Sequence, residues 1–157
     1  GPLLLGGCIL TVEPGAPGYA VIERLPISED YRIIAGVFKP LPTKEVLASA
    51  EKRKMVNKWG RKTVDAILAE PSLENFMRAS KEFAVKTGFA TKRVKKLMEN
   101  AEKAGAVGAA QNMVGEAVHA LVLKDTVDEV VEVFKKVLPK EKILVAKIDF
   151  RGAHLVR

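Results

Sequence analysis

The spacing of apolar residues changes twice along the chain, and this change constrains the fold more than any other feature. Between residues 8 and 38, apolar residues alternate or run together over short segments, as they do in β-strands. From residue 43 to about residue 105 they recur every three or four positions, which is typical of one face of a helix. After residue 116 strand-like and helix-like segments alternate again. The sequence therefore predicts an α+β fold.

Three strands are predicted before the helical region. Residues 8–13 and 19–25 flank the breaker cluster at residues 14–18, which has too much proline and glycine to lie inside a sheet. We expect these two strands to form a hairpin with a long tip. The nearly continuous apolar run at residues 31–38 fits a strand that is buried on both faces.

Three or four helices are predicted between residues 43 and 105. Thr43, Ser72 and Thr91 are plausible N-caps, because their hydroxyl groups can accept a hydrogen bond from a free backbone amide. Trp59 falls on the apolar stripe of its helix, so we expect it in the core.

The last part of the chain returns to mixed structure. Residues 116–123 are predicted to form a strand, and residues 125–138 a helix that ends at a proline. Residues 142–150 alternate as a strand, and residues 153–156 are expected to add a short end strand. This order indicates a mixed sheet with helices packed on one face.

Length and composition limit the class of protein. The 157 residues suffice for one ordinary domain, and 48% apolar with 29% charged residues is typical of a globular protein. No apolar run approaches the ~20 residues of a membrane-spanning helix, and a signal peptide is not recognisable. The single cysteine, Cys8, excludes an internal disulfide, so we expect a cytoplasmic protein. The chain begins Gly1-Pro2 and runs almost directly into a strand, so we expect it to be part of something longer.

The net charge of +7 permits an anionic partner but selects none. Basic residues cluster at residues 52–62 and 92–96, and Trp59 is the only aromatic residue near the first cluster. Nucleic-acid binding is expected to require interleaved aromatic residues or a recognisable binding motif. We therefore interpret the clusters as solvated helix faces of a thermophile-like surface, with no nucleic acid and no membrane as partner.

Histidines give no metal or triad pattern. His119 and His154 are the only two, and neither has carboxylates or thiols at the spacing of a metal site. We expect both to be structural.

The small-residue stretch at residues 105–115 is the most informative candidate for ligand binding. Glycine and alanine let a backbone approach a ligand closely and turn its amide groups toward an anion. A tight connection between helix and strand, or a short alanine-rich helix, would use the same composition.

Three parts of the sequence, read together, resemble one kinase superfamily. The first part is GGCILTVEPGAPGYAVIERLPI with DYRIIAGVFKPLPTKEVL, the second is LENFMRASKEFAVKTGFATKRV, and the third is AEKAGAVGAAQNMVGEAVHAL with KIDFRGAHLV. They resemble the carboxyl-terminal half of the superfamily named for galactokinase, homoserine kinase, mevalonate kinase and phosphomevalonate kinase, and within it the archaeal pantoate kinases. The resemblance implies that residues 1–25 are a hairpin remnant of an amino-terminal kinase domain. It further implies that residues 26–157 form the carboxyl-terminal domain, with a ferredoxin-like core.

The resemblance implies an activity as well. The protein would use ATP and Mg²⁺ and would transfer the γ-phosphoryl group of ATP to the primary hydroxyl of pantoate. The product would be 4-phosphopantoate, for coenzyme A synthesis. Mevalonate, homoserine or shikimate are alternative acceptors, and a non-enzymatic basic α+β binding module is the alternative from another class. The phosphate loop and the catalytic carboxylates of the family lie in its amino-terminal domain, and this chain has no Pro-x-x-x-Gly-x-Gly-Ser-Ser segment. We therefore expect no catalytic residue here and an inactive isolated chain, with an exposed sheet edge that could join copies into a homo-oligomer.

The family's glycine-rich third motif borders the active-site cleft and matches residues 105–115. A Thr-Lys pair after the central strand matches the start of a helix that faces the cleft, where a helix N-terminus would favour an anion. The substrate- or phosphate-binding residues implied by this match are Gly105, Gly108, Gln111, Asn112, Gly115, Thr43 and Lys44. Gln111 and Asn112 depart from the small residues and methionines usual in pantoate kinases.

Overall fold

A computed structural model of the chain describes residues 6–13, 15, 19–39, 49–112 and 115–152. The strands are β1 (Cys8–Glu13), β2 (Val21–Leu25), β3 (Tyr31–Lys39), β4 (Gly108–Gln111), β5 (Glu116–Leu123) and β6 (Ile143–Lys147). The helices are α1 (Ala50–Ala69), α2 (Leu73–Lys86), α3 (Lys92–Lys103) and α4 (Val127–Lys135).

The strands form two antiparallel sheets. Strands β1 and β2 pair as a hairpin, and the other four pair in the order β4-β5-β3-β6. Helices connect β3 to β4 and β5 to β6, so the larger sheet has the ferredoxin-like βαββαβ arrangement. The α+β prediction is confirmed. The expected mixed sheet is wrong, because all pairs among the described strands are antiparallel. Apolar spacing along one strand carries no information on the direction of its neighbour.

Both faces of the larger sheet are covered, in contrast to the expected single helical layer. Ile34 of β3 enters one core with α3 and α4, whereas its neighbour Ile33 packs against the other core. The second core contains Leu10 and Leu25 of the hairpin, together with residues of α1 and α2. This two-sided burial explains the continuous apolar run of β3, because a strand with one wet face would alternate.

Two glycines allow helices to approach the larger sheet closely. A Cβ atom on Gly36 would lie 2.7 Å from Cδ1 of Phe134 in α4. A Cβ atom on Gly108 would lie 2.3 Å from Cβ of Met77 in α2. Real Cβ atoms do not come this close, so each glycine is required by packing of a helix on a strand.

Hydroxyl groups cap the helices, as two of the sequence predictions require. The Oγ atom of Ser72 accepts from Asn75 N, and Oγ1 of Thr91 accepts from Val94 N. Helix α1 begins after Ser49, whose Oγ accepts from Lys52 N. Thr43, the predicted N-cap of this region, lies outside the described residues.

Several segments differ from their predicted structure. Residues 108–111 form strand β4 rather than a connection or a helix, and β6 ends at residue 147 rather than 150. Trp59 is half-buried rather than in the core, and Ile67 is the buried residue of α1. The predicted end strand at residues 153–156 lies outside the described residues. Among the described helices, none is both long and apolar enough to cross a membrane.

Candidate functional site

The two glycines at the start of the candidate stretch have structural roles in this fold. Gly105 follows the last residues of α3 with φ of +104°, a conformation that glycine adopts readily, and so ends the helix. Gly108 is required by the contact of β4 with Met77, as described above. A larger side chain at position 108 would therefore overlap helix α2.

Gln111, at the end of β4, ties the turn between β4 and β5 together. Its side chain is 8% exposed, and Nε2 donates hydrogen bonds to the carbonyl oxygens of Gly115, at 2.7 Å, and Phe89, at 3.3 Å. The Oε1 atom is buried and has no hydrogen-bond partner within the described residues. Among the residues that the structure describes, this buried acceptor therefore lacks the donor that would offset the cost of its desolvation.

Asn112 follows Gln111 and contacts His119 of the neighbouring strand β5. Its backbone amide donates to the carbonyl of Ala117 at 2.8 Å, and its Oδ1 contacts Nδ1 of His119. An amide oxygen only accepts, so this contact assigns the proton to Nδ1 of the ring. Burial lowers the pKa of His119, which therefore favours the neutral form at neutral pH.

An ion pair between a half-exposed arginine and a nearly buried glutamate holds the other side of the turn. The carboxylate of Glu116, the first residue of β5, contacts the Arg93 guanidinium, with Nε 3.0 Å from Oε1. The Thr91 hydroxyl donates to the same oxygen at 2.8 Å. Arg93 and Thr91 hold the pKa of the Glu116 carboxyl below its usual range. The Arg93 guanidinium also lies 4.8 Å from the ring centroid of Phe38.

The structure thus brings three of the seven predicted site residues together. Gln111, Asn112 and Gly115 frame one turn, whereas Gly108 lies three residues back along an extended strand, about 10 Å away. Thr43 and Lys44 lie outside the described residues. Sequence reasoning missed the contacts of His119 and Glu116, because they depend on β4 being a strand that pairs with β5.

Among the described residues, no three His, Cys, Asp or Glu side chains come together as a metal site would require.

Sequence comparison finds relatives with a curated function. No family model matches the chain. It is 31% identical over 129 residues to pantoate kinase of Methanocaldococcus jannaschii, a match covering 82% of this chain and 46% of the relative. It is 31% identical over 119 residues to pantoate kinase of Thermococcus kodakarensis, covering 76% of this chain and 39% of the relative. The chain thus spans less than half the length of these curated relatives.

Comparison with solved structures also finds proteins that are similar to this chain over most of its length. A phosphotransferase related to the CoA biosynthesis pathway superposes with a TM-score of 0.72 at 25% identity, covering 96% of this chain and 47% of that one. A protein determined in complex with AMPPCP and magnesium superposes with a TM-score of 0.66 at 11% identity, covering 94% and 54%. At that identity the second match supports the fold alone. Together the two comparisons relate the chain, in sequence and in fold, to pantoate kinases over part of their length.

Proposed function

We propose that the chain is the carboxyl-terminal part of an ATP-dependent kinase that phosphorylates the primary hydroxyl of pantoate. The observation that carries this proposal is the 31% identity to a pantoate kinase over 129 residues of the chain. The match to a phosphotransferase related to CoA biosynthesis over 96% of the chain supports the same reaction class. Residues 1–25 then belong with the amino-terminal domain, and residues 26–157 form the carboxyl-terminal domain.

The turn between β4 and β5 is proposed as the part of this chain that borders substrate. The Oδ1 atom of Asn112 contacts His119, and within the described part of the chain its Nδ2 group has no acceptor. We propose that its two N–H groups donate to an oxygen of substrate or of the transferring phosphoryl group. The unpartnered Oε1 of Gln111 is an acceptor at the same turn, and its Nε2 fixes the position of Gly115. Phosphoryl transfer depends on positioning and electrostatic stabilisation, which is what such fixed donors supply.

The remaining predicted residues are assigned more limited roles. Gly105 ends helix α3, and Gly108 lets β4 pack closely against α2. Both glycines would therefore affect substrate only by fixing the position of the turn between β4 and β5. Thr43 and Lys44 stay proposed contacts for a substrate carboxylate or phosphate.

ATP and Mg²⁺ are proposed cofactors of the whole protein. A protein of the same fold was determined with AMPPCP, an analogue of ATP, and magnesium, which supports their use. Because the described residues offer no cluster of metal ligands, we assign no magnesium ligand to them. The proposal places the protein in the cytoplasm of an archaeon, in line with the organisms of both relatives. Nucleic acid and membrane have no part in it, and a homo-oligomer formed through a sheet edge stays a proposal.

The test uses the protein encoded by the complete reading frame that contains this chain. Pantoate, mevalonate, homoserine and shikimate are each offered with ATP and magnesium, ADP release is followed, and the product is identified by ³¹P NMR. We expect release of ADP with pantoate and a new phosphomonoester signal. Asn112→Ala is expected to lower kcat/KM by at least about 10-fold, whereas Asn57→Ala, exposed on α1, leaves it unchanged. ADP release with another acceptor only, or with none, would reject the proposal.

A further inference from the structure

A cavity of about 170 Å³ lies between the β1–β2 hairpin, helix α2 and the face of the larger sheet opposite α3 and α4. Its walls are mainly apolar and include the side chains of Ile27, Ile33, Leu73, Phe76, Met77 and Leu121. An apolar cavity of about 150 Å³ in another protein stays free of water and binds benzene. The volume here is therefore enough for a small branched alkyl group.

His119 supplies the polar atom of this cavity. Because its Nδ1 carries the proton and faces Asn112, the ring nitrogen Nε2 is an unprotonated acceptor. Within the described residues Nε2 has no hydrogen-bond partner, and His119 is part of the cavity wall. Burial, which lowers the pKa of His119, keeps the ring neutral. A neutral acceptor in an apolar cavity selects a hydroxyl or another uncharged donor over a cation.

Arg24 supplies a positive charge beside the cavity. Its Nη1 donates to the carbonyl of Gly6 at 2.8 Å and lies 4.0 Å from the position that a Cβ atom on Gly7 would take. Gly7 is itself part of the cavity wall. Arg24 forms no ion pair with any other described residue, and its other N–H groups keep the fork geometry that suits a carboxylate.

From this arrangement we propose that the cavity binds a small branched-chain hydroxy acid. The alkyl branch fills the apolar space, a hydroxyl donates to Nε2 of His119, and the carboxylate pairs with Arg24. The identification of this ligand with the acceptor substrate rests on the proposed function, because pantoate carries two methyl groups on one carbon, hydroxyl groups and a carboxylate. Binding itself requires neither ATP nor phosphoryl transfer.

The first experiment measures binding, without nucleotide, to the whole protein encoded by the reading frame that contains this chain. The protein is labelled with ¹⁵N-histidine, and pantoate is titrated while the Nε2 resonance of His119 is followed. Pivalate, which keeps the branched alkyl and carboxylate but lacks a hydroxyl, and pantolactone, which lacks a free carboxylate, are the comparison ligands. We expect pantoate to shift the His119 resonance and to bind at least about 10-fold more tightly than either. Equal binding of the three, or binding without a change at His119, would overturn the proposal.

The second experiment assigns the contacts. Arg24→Met removes an exposed charge without disturbing a core, and His119→Phe keeps a ring at the cavity wall and removes its acceptor. Both are expected to weaken pantoate binding at least about 10-fold, while Arg61→Met, an exposed arginine of α1, leaves it unchanged. Melting temperatures establish that each variant is folded, and Arg24→Met decides the result if His119→Phe does not fold. Unchanged pantoate affinity in folded Arg24→Met would overturn the proposal.

The two proposals fail separately. If the whole protein phosphorylates pantoate and Arg24→Met keeps its KM, the cavity is not the acceptor site and the proposed function stands. If the chain binds pantoate at His119 and the whole protein phosphorylates another acceptor or none, the cavity assignment stands and the proposed function is wrong.

Discussion

Arg93 and Glu116 join the start of α3 to the first residue of β5 through a bidentate ion pair, although they are 23 positions apart in the sequence. Glu116 is 8% exposed, whereas the Arg93 side chain is half-exposed. A nearly buried carboxylate requires such partners, since an unpaired charge there would be strongly unfavourable. This pair therefore fixes one side of the turn that the proposed function places beside substrate.

Glu116→Gln is expected to lower the free energy of unfolding by about 1–3 kcal/mol near neutral pH. Because the pKa of Glu116 is lowered in the folded state, its stabilising contribution is present above the unfolded pKa of about 4.3. It is lost as the pH falls through the folded value. Urea unfolding at pH 7 and pH 3 should show a difference between wild type and variant that shrinks at the lower pH.

The matched control is Glu82→Gln, which removes the carboxylate of an exposed pair with Arg78 at 4.0 Å. Exposed pairs contribute little, so a change below about 1 kcal/mol is expected at either pH. A Glu116→Gln effect that is independent of pH would contradict the role assigned to this carboxylate.

Gly108→Ala is expected to destabilise the fold by about 1–3 kcal/mol, because the added Cβ would overlap Cβ of Met77. Gly60→Ala is the control: its Cβ would lie 3.9 Å from Phe83, an ordinary contact, and alanine favours the helix by about 0.5–1 kcal/mol. Denaturant unfolding of both variants measures the effect, together with Met77→Gly alone and combined with Gly108→Ala, because glycine removes the Cβ atom at position 77. If Gly108→Ala destabilises the Met77→Gly background as much as the wild type, close packing does not explain Gly108.

Trp59, the only tryptophan, is half-buried beneath two cations. The Nζ atoms of Lys62 and Lys86 lie 5.0 and 5.6 Å from its ring centroid. Trp59→Ala should cost about 1–2 kcal/mol, below the 3–5 kcal/mol typical of a fully buried aromatic residue. Thermal or urea unfolding of this variant measures the difference.

The two lysines should also affect how ions quench the fluorescence of Trp59. Iodide should quench its fluorescence more strongly than caesium, because the ammonium groups attract the anion and repel the cation. Replacing both Lys62 and Lys86 with methionine should remove the difference. The same replacement at Lys54 and Lys58, exposed on the same helix, changes the net charge equally and should preserve it. Equal quenching by the two ions in the wild type would exclude the cation contacts.

Local sequence signals predicted much of the fold. Strands β1, β3 and β5 match their predicted residues closely, and Ser72 and Thr91 are the caps expected from their positions. These features depend on neighbouring residues alone. Strand β4 was missed, because glycine and alanine have little tendency to form strands. Its extended form depends on pairing with β5 and on the close contact with Met77.

The candidate site was predicted only in part for the same reason. Composition located the stretch that contains Gln111 and Asn112, since few side chains there are bulky. The partners of these residues are set by the tertiary fold. Phe89 lies 22 positions before Gln111, and Asn112 contacts His119 because strands β4 and β5 pair. The expectation that His119 is structural gave no indication of its contact with Asn112 or of its place in the cavity wall.

The most direct test of the central claim replaces the matched carboxyl-terminal part of Methanocaldococcus jannaschii pantoate kinase with this chain. The parent kinase is the positive control, and a chimera carrying Asn112→Ala tests the turn. A folded chimera is expected to release ADP in the presence of pantoate and to form phosphorylated pantoate, with mevalonate, homoserine and shikimate giving no product. A chimera that melts cooperatively, binds ATP and forms no phosphorylated pantoate would contradict the assignment of this chain to a pantoate kinase.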